Sequence, residues 1–194
     1  MTGLTAQQLR LKITAQEGVP MLQNNPQMID LNNHYAIERA KFKKADQNTE
    51  AYNRVSWEGA LYYDDEIGPY IPASHIEASI ANASSKLKNT YKKLFKASVF
   101  IVEPKIAIEF KGSRTLDGMW KEKRYDLRNV KIVGKGVIKC RPKFENWHAF
   151  CTLTFIPTKD ITANTVLSAT QLAGQFHGIG DYLPKFGRFI AENA

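Results

Sequence analysis

The spacing of apolar residues predicts alternating strands and helices in the first third of the chain. Residues 8–14 alternate apolar and polar side chains, which is typical of a half-buried strand. Residues 18–33 are rich in Pro and Asn and are predicted to form a loop. Helices are predicted over residues 33–45, capped by the first Asn, and over residues 46–57. We therefore expect an insertion at about residues 18–65, after the first strand.

The middle of the chain is predicted to hold one amphipathic helix and two short strands. The helix opens near Ser74, and its apolar stripe consists of Ile76, Ile80 and Leu87. Residues 99–102 and 106–110 are strand-like and are separated by a proline. Polar residues then follow over 112–124, so we expect a basic connector at about residues 98–125.

A long hairpin is the clearest structural prediction. Residues 127–143 and 147–157 are both strand-like, and residues 144–147 join them. A symmetric turn would place Cys140 opposite Cys151, Ile138 opposite Leu153, and Arg141 opposite Phe150. Because side chains alternate between the faces of a strand, Ile138, Cys140, Cys151, Leu153 and Phe155 are then predicted to face the core. The opposite face would carry Lys139, Arg141, Lys143, His148 and Phe150, extended backwards by Lys131 and Lys135.

The end of the chain completes a recognisable order of elements. Residues 162–176 are predicted to form a helix that ends at Gly178, and residues 186–191 a last strand. Without the insertions the order is strand, helix, strand, strand, helix, strand, as in ferredoxin-like and RNA-recognition folds. The predicted fold class is α+β, a ferredoxin-like (RNA-recognition-like) βαββαβ core in one domain over residues 1–194. Insertions follow the first strand and separate the first helix from the central hairpin.

Composition and charge narrow the class of protein. An apolar content of 43% is enough for a packed core and argues against a disordered chain. Lys and Arg number 27 against 19 Asp and Glu, a net charge of +8. Between Lys86 and Lys143 there are 17 basic residues and five acidic ones, which favours a polyanionic partner. The opening residues do not resemble a signal peptide and no apolar run could span a bilayer, so we predict a cytoplasmic protein without a membrane partner.

Three groups of residues are candidates for nucleic-acid binding, although each could instead be an ordinary solvated surface. On the hairpin face, cations would neutralise phosphates and Phe150 would stack on a base. The end of the first helix carries a lysine cluster, which also suits the helix dipole. The glycine-rich segment 178–189 allows close approach of a phosphate, but no P-loop signature follows it. The candidates are Ser74, His75, Lys86, Lys88, Lys92, Lys93, Lys131, Lys135, Lys139, Arg141, Lys143, Phe150, Tyr182, Lys185 and Arg188, with Lys96 also in the lysine cluster.

Metal and catalytic chemistry find little support in the sequence. Cys140, His148 and Cys151 could suggest zinc, but there is no CxxC pair and buried thiols are the favoured interpretation. The acidic run 64–66 and the isolated Asp30 could bind Mg²⁺, but solvated loops are favoured. We therefore predict no catalytic residues, no metal and no cofactor, with a metal-dependent nuclease as the alternative enzyme class.

Two segments resemble the RAMP superfamily, the repeat-associated proteins that form the backbone of CRISPR effector complexes. Residues 68–80, Gly-Pro-Tyr-Ile-Pro-Ala-Ser-His-Ile-Glu-Ala-Ser-Ile, resemble the "YIPGSSLKG" segment that opens the first helix there, departing from it at Ala73, His75 and Glu77. Residues 178–189 resemble the superfamily's glycine-rich loop and final strand. From Gly59 to the end the chain also looks like a bacteriophage family with a "GIGDWRPRYGRF"-like ending.

This resemblance implies a function and a set of partners. RAMP backbone subunits bind single-stranded RNA in head-to-tail filaments, through a thumb-like hairpin and the surface between helix start and glycine loop. We accordingly expect a non-catalytic protein that binds single-stranded DNA or RNA and self-associates, encoded by a phage and acting in the host cytoplasm. Some RAMP proteins cleave RNA with an Asp after the first strand, where only Asp30 could match. The other alternative is a RAMP-mimicking anti-defence or assembly protein that binds a phage or host protein.

Overall fold

A computed structural model describes residues 5–47, 49–132 and 135–194, with the side chains of residues 131, 132 and 135 left outside that description. The chain is mixed α and β, and its sheets are antiparallel, as the α+β prediction requires. Ten strands are assigned within the described residues: β1 (Gln7–Ala15), β2 (Met21–Leu22), β3 (Tyr63–Asp64), β4 (Gly68–Pro72), β5 (Val99–Ile101), β6 (Lys105–Ala107), β7 (Tyr125–Ile132), β8 (Lys135–Phe144), β9 (His148–Phe155) and β10 (Phe189–Asn193).

The same part of the chain contains six α-helices: α1 (His34–Ala40), α2 (Glu50–Ala60), α3 (Ala73–Ser84), α4 (Tyr91–Ser98), α5 (Leu116–Lys121) and α6 (Ala163–Phe176). Short 3₁₀ helices cover Pro26–Ile29 and Lys44–Asp46. Side chains cap several helix starts: Asn33, the cap that the sequence predicts, accepts a hydrogen bond from the Tyr35 amide, and Thr162 accepts one from the Thr165 amide. Of the helices in the described part of the chain, none combines the length and apolar character that crossing a bilayer requires.

The chain divides into two compact units. The first unit comprises residues 1–21, 70–111 and 145–194, and the second comprises residues 22–69 and 112–144. Most of the predicted insertion 18–65 belongs to the second unit. So do residues 112–125 of the predicted connector and the paired strands β7 and β8.

The first unit is built on a four-stranded antiparallel sheet in the order β10-β1-β9-β5. Leu11 lies opposite Cys151 and Ile13 opposite Ala149, which fixes the register of the two central strands. These four side chains are buried on one face of the sheet. Helices α3 and α6 pack against each other, and α3 contacts β5 while α6 contacts β10, so both helices lie on that face. One face of the sheet is core and the other is open, as alternation along each strand dictates.

The second unit combines a hairpin with a small helical cluster. Strands β7 and β8 pair along their length, from Tyr125 opposite Pro142 to Ile132 opposite Lys135, and α2 packs against β8. Trp57 of α2 is fully buried, and its Nε1 donates to the carbonyl oxygen of Arg124 at 2.9 Å. The Trp57 ring meets Trp120 of α5 edge to face, with 5.5 Å between ring centroids.

The predicted hairpin between residues 127–143 and 147–157 is wrong. Strand β8 pairs with β7, whereas β9 pairs with β1 and β5 in a different sheet. Cys140 lies opposite Leu127, and Cys151 lies opposite Leu11. Ile138, predicted to be core, is 38% exposed and lies opposite Asn129. The alternating pattern identified the strands correctly but does not encode which strand pairs with which.

Three smaller differences from the predictions have simple causes. The polar connector contains α5, whose single buried apolar residue, Met119, is too weak a pattern to detect. The first helix ends at Ser84. The lysines predicted at its end therefore lie in a turn and on a separate helix, α4, whose buried residue is Phe95. Residues 70–72, which the sequence predicts to lead into that helix, belong to β4, in which Ile71 pairs with Ile106 of β6.

Candidate functional site

The glycine-rich segment folds back on itself and packs against α3. We call residues 177–188 the glycine loop. Gly187 closes it, since the Ile179 amide donates to the Gly187 carbonyl at 3.0 Å and the Gly187 amide donates to Pro20 at 2.9 Å. The buried Ser79 hydroxyl of α3 donates to the Gly178 carbonyl at 2.7 Å. Gly178 and Gly187 both have φ of 73°, a conformation that favours glycine.

A cavity of about 400 Å³ lies between α3 and the glycine loop, and we call it the loop cleft. It is lined by His75, Ala78, Ser79, Asn82, Phe176, His177, Gly178, Gly180, Leu183 and Pro184. Of the candidates predicted near the helix start and in the glycine-rich segment, His75 lines this cavity, together with Gly178 and Gly180 of the glycine loop. Within the described residues, no Asp or Glu lines this cavity.

Two exposed lysines, Lys86 and Lys92, lie near the wall of the loop cleft. Lys86, Lys88, Lys92, Lys93 and Lys96, the lysine cluster, are all exposed after α3 and on α4. The Lys86 ammonium lies 4.4 Å from the centroid of the Phe176 ring in the cleft wall. Lys88 lies 3.6 Å from Asp160, so part of its charge is already compensated. The cluster thus places positive charge directly beside the cavity.

Two histidines in the cleft wall are shifted toward the neutral state. Burial lowers the pKa of His75 below its ordinary value. Burial also lowers the pKa of His177, and the nearby charges of Lys86 and Lys92 lower it further. Both imidazoles are therefore neutral at pH 7. At pH 7 their nitrogens can form hydrogen bonds with a ligand, and a nearby negative group favours protonation of the imidazoles.

These lowered pKa values predict that stability falls on acidification. The unfolded chain takes up protons on these histidines near pH 6.5, before the folded protein does, so stability is complete above that pH and declines below it. Melting temperatures between pH 7.5 and 5.5 should fall, and the decline should be shallower in a His75→Gln, His177→Gln double variant. His34→Gln, on an exposed helix position of the second unit, controls for losing an imidazole. An equal decline in the double variant would contradict this assignment.

The remaining glycine-loop candidates lie on the outer side of the loop. Tyr182 is 45% exposed and Lys185 is exposed, and the Tyr182 and Phe186 rings lie 5.7 Å apart. Arg188 is half-buried, and its Nε has no hydrogen-bond partner within the described residues. Ser74 is exposed on the first turn of α3, one residue before His75. All four candidates belong to the first unit, with the loop cleft.

The open sheet face holds Phe150 but not the cations predicted to accompany it. We use this name for the outward side chains of β1 and β9, chiefly Arg10, Lys12, His148, Phe150 and Thr152. Arg10 lies 5.8 Å from the Phe150 ring centroid, and Lys12 lies opposite Phe150. Three carboxylates balance these charges: Glu103 accepts hydrogen bonds from Thr152, Glu109 lies 3.0 Å from His148 Nε2, and Glu192 lies opposite Lys12.

The hairpin cations lie in the second unit and do not form the predicted shelf. Arg141 is only 5% exposed, opposite Asp126, so the prediction that it contacts phosphate is contradicted by its burial. Lys139 and Lys143 are half-buried. Lys131 and Lys135 belong to the paired ends of the hairpin, but their side chains lie outside the described residues. The prediction failed because it rested on the wrong strand pairing.

Both cysteines are buried, as predicted, at 5% exposure for Cys140 and 1% for Cys151. Burial raises the pKa of each thiol to about 12, and the charges of Asp126 and Glu103, respectively, add to the effect. They lie in different sheets, so the cross-strand pairing predicted for them is wrong.

The acidic candidates are engaged in local turns. Asp30 Oδ1 accepts from the Asn32 amide at 2.9 Å, and Asp64 Oδ1 accepts from the Glu66 amide at 3.0 Å. In the parts of the chain that the structure covers, no group of three His, Cys, Asp or Glu side chains is arranged to hold a metal ion.

Sequence reasoning missed several residues of the site. Phe176 and His177 were read only as the end of a helix, yet they form one wall of the loop cleft. Their position immediately before a glycine-rich segment was the available signal. Asn82 belongs to the same cavity, but nothing in the pattern of α3 distinguishes it.

Comparison with known proteins gives no assignment. No family model matches the sequence, and a search of curated proteins finds no relative. We therefore infer the function from the geometry of the molecule.

Proposed function

We propose that this protein binds single-stranded nucleic acid, without cleaving it, along the loop cleft and the lysine cluster. The observation that carries the proposal is the convergence of His75, His177 and the glycine loop on one cavity, with the exposed Lys86 and Lys92 near its wall. Phosphates would lie along the lysines, and neutral imidazoles and loop amides would supply hydrogen bonds.

The positive charge of this surface suits it to a flexible polyanion. Five exposed lysines follow one another over the turn after α3 and along α4. A single strand is flexible enough to follow such a row of lysines. Its bases can stack on flat rings such as those of Phe176 and Tyr182. The lysine over Phe176 pairs a cation and a ring in one place, which suits a nucleotide's phosphate and base.

The topology of the first unit supports a finer assignment, a ferredoxin-like core of the RAMP type. Its antiparallel sheet has the order β10-β1-β9-β5, and α3 and α6 connect the strands in the sequence strand, helix, strand, strand, helix, strand. RAMP proteins, which this sequence resembles at residues 68–80 and 178–189, bind RNA at the corresponding helix start and glycine loop. The cleft between those two segments is what makes the resemblance relevant to function.

The loop cleft is a better candidate than the open sheet face, although RNA-recognition domains use the sheet. On the open sheet face, Arg10 and Lys12 are balanced by Glu103, Glu109 and Glu192. A phosphate approaching that face meets carboxylates as well as cations, which costs binding free energy.

Binding of a fluorescently labelled single strand, measured by anisotropy at several salt concentrations, tests the proposal. Lys86→Ala with Lys92→Ala should weaken binding at low salt by about tenfold or more and reduce the salt slope by about 1.4, since each phosphate contact on a single strand contributes about 0.7. The physical reason is that two fewer cations displace two fewer condensed counterions.

The matched control removes the same charge from the other surface of the same unit. Arg10→Ala with Lys12→Ala also lowers the net charge by two but should leave the salt slope near that of the unmodified protein. If this control weakens binding and the cleft variant does not, nucleic acid is bound on the open sheet face and the proposal fails. Absence of binding by the unmodified protein would also refute it.

A further inference from the structure

The second unit contains a separate cavity with aromatic walls. Its volume is about 360 Å³, within the range of small-ligand sites. Trp120 and Tyr125 form one side, with their rings 4.8 Å apart and inclined by 32°. Leu127 and Cys140, paired across β7 and β8, form the floor.

The aromatic side of this cavity is held rigidly. Trp120 is braced by Trp57 at 5.5 Å and by the Arg54 guanidinium at 5.5 Å, and Arg54 also pairs with Asp117 at 2.8 Å. Trp120 Nε1 donates to Glu50 Oε1 at 3.3 Å. A ring already fixed by its neighbours loses little conformational entropy when a ligand stacks on it.

The polar groups at the rim have complementary charges. Lys123, exposed and with φ of 55° in the turn before β7, lines the cavity on one side. Glu50, at the start of α2, lines it on another. A carboxylate accepts hydrogen bonds from an amino group, and an ammonium attracts a phosphate. The cavity therefore combines a stacking wall, an acceptor for an exocyclic amine and a cation for a phosphate.

We infer that this cavity is a nucleobase site that holds one base of a single strand between Trp120, Tyr125 and Leu127, with preference for a base that carries an exocyclic amino group. Glu50 accepts a hydrogen bond from that amine, and Lys123 pairs with the adjacent phosphate. The inference deepens the proposed function and rests on it for the source of the base. It adds selectivity that a purely cationic track does not have, because thymine and uracil lack the amine.

Two labelled homopolymers of equal length, oligo-dC and oligo-dT, test the inference. The protein should bind oligo-dC about three- to tenfold more tightly, and Glu50→Gln should reduce that preference. Leu127→Trp, at a position 49% exposed, should fill the cavity and weaken oligo-dC binding about fivefold or more, as expected for losing one stacked base. Val137→Trp, 40% exposed on the opposite face of the same hairpin, is the matched control and should bind normally.

A second measurement separates failure of this site from failure of the proposed function. Cytidine alone should shift the Trp120 indole N–H resonance, assigned with Trp120→Phe, and should not do so in Leu127→Trp. A dispersed Trp57 indole N–H resonance, from the hydrogen bond to the Arg124 carbonyl, verifies that the second unit is folded in each variant. If Lys86→Ala with Lys92→Ala weakens strand binding while Leu127→Trp changes neither oligo-dC affinity nor the cytidine response, the nucleobase site is refuted and the proposed function stands.

Discussion

Replacing Gly187 by alanine is expected to destabilise the first unit by about 3 kcal/mol or more and to abolish binding at the loop cleft. A Cβ at this position would overlap the carbonyl oxygen of Ile179, and the backbone φ of 73° is itself unfavourable for alanine. The three nearest atoms all belong to the Ile179 main chain, so no flexible side chain can move aside. Denaturant unfolding and strand binding, measured on the same preparation, check both parts.

Gly18 provides a matched control for backbone conformation without the clash. Its φ is 70°, yet a Cβ there would meet nothing within 4 Å. Gly18→Ala should therefore cost only about 1 kcal/mol, the penalty for the left-handed conformation, and leave strand binding unchanged. If the two variants lose the same stability, the packed loop closure described for Gly187 is incorrect.

Replacing Trp57 by alanine is expected to lower the stability of the second unit by about 3–5 kcal/mol. The side chain is fully buried, its ring lies against Trp120, and its indole N–H satisfies the Arg124 carbonyl. Removing it opens a cavity and leaves the Arg124 carbonyl with the Lys143 amide, at 3.1 Å, as its remaining donor among the described residues. Loss of the near-ultraviolet circular dichroism of the aromatic cluster, with unfolding at lower denaturant, would be the readout.

Trp57→Phe separates packing from hydrogen bonding at the same position. It keeps an aromatic ring but loses the indole N–H, so the expected loss is smaller, about 1–2 kcal/mol. A loss below about 1 kcal/mol in Trp57→Ala would contradict the packing described here. The Trp57→Ala result also bears on the nucleobase site, because Trp57 braces the Trp120 ring.

The spacing of apolar and polar residues predicted the elements that bury a single face. Alternation over residues 8–14 gave β1 nearly to its observed ends, and Thr162 marked the start of α6. The start of α3 was placed within one residue. These elements have one buried face each, so polarity alone reports which side packs.

Pairing could not be predicted from the same pattern. The segment 127–143 was predicted as one strand, whereas β7 ends at Ile132 and β8 begins at Lys135. Once that break was missed, β8 was assigned to β9, and every cross-strand contact on the supposed basic face followed from the error. A period of two specifies the faces of a strand but not its neighbour.

Only part of the candidate site could be predicted, because its residues come together through tertiary packing that the sequence pattern does not specify. Ser74, His75 and the glycine-rich segment stood out as sequence motifs, and tertiary packing brings His75 and the glycine loop together through the Ser79–Gly178 hydrogen bond. His177 and Phe176 carry no motif, and their role depends on where α6 ends. The Trp120–Tyr125 cavity likewise depends on contacts across 70 residues of chain, such as the Trp120–Glu50 hydrogen bond, that no local window contains.

The most direct test of the loop cleft is an NMR titration of the His75 and His177 imidazoles with and without a short single strand. If phosphates bind beside them, their negative charge should raise the pKa of both histidines toward or above that of free histidine, and both signals should shift on binding. The account is contradicted if both pKa values stay unchanged at saturating strand while the signals of His148 and Phe150 on the open sheet face move.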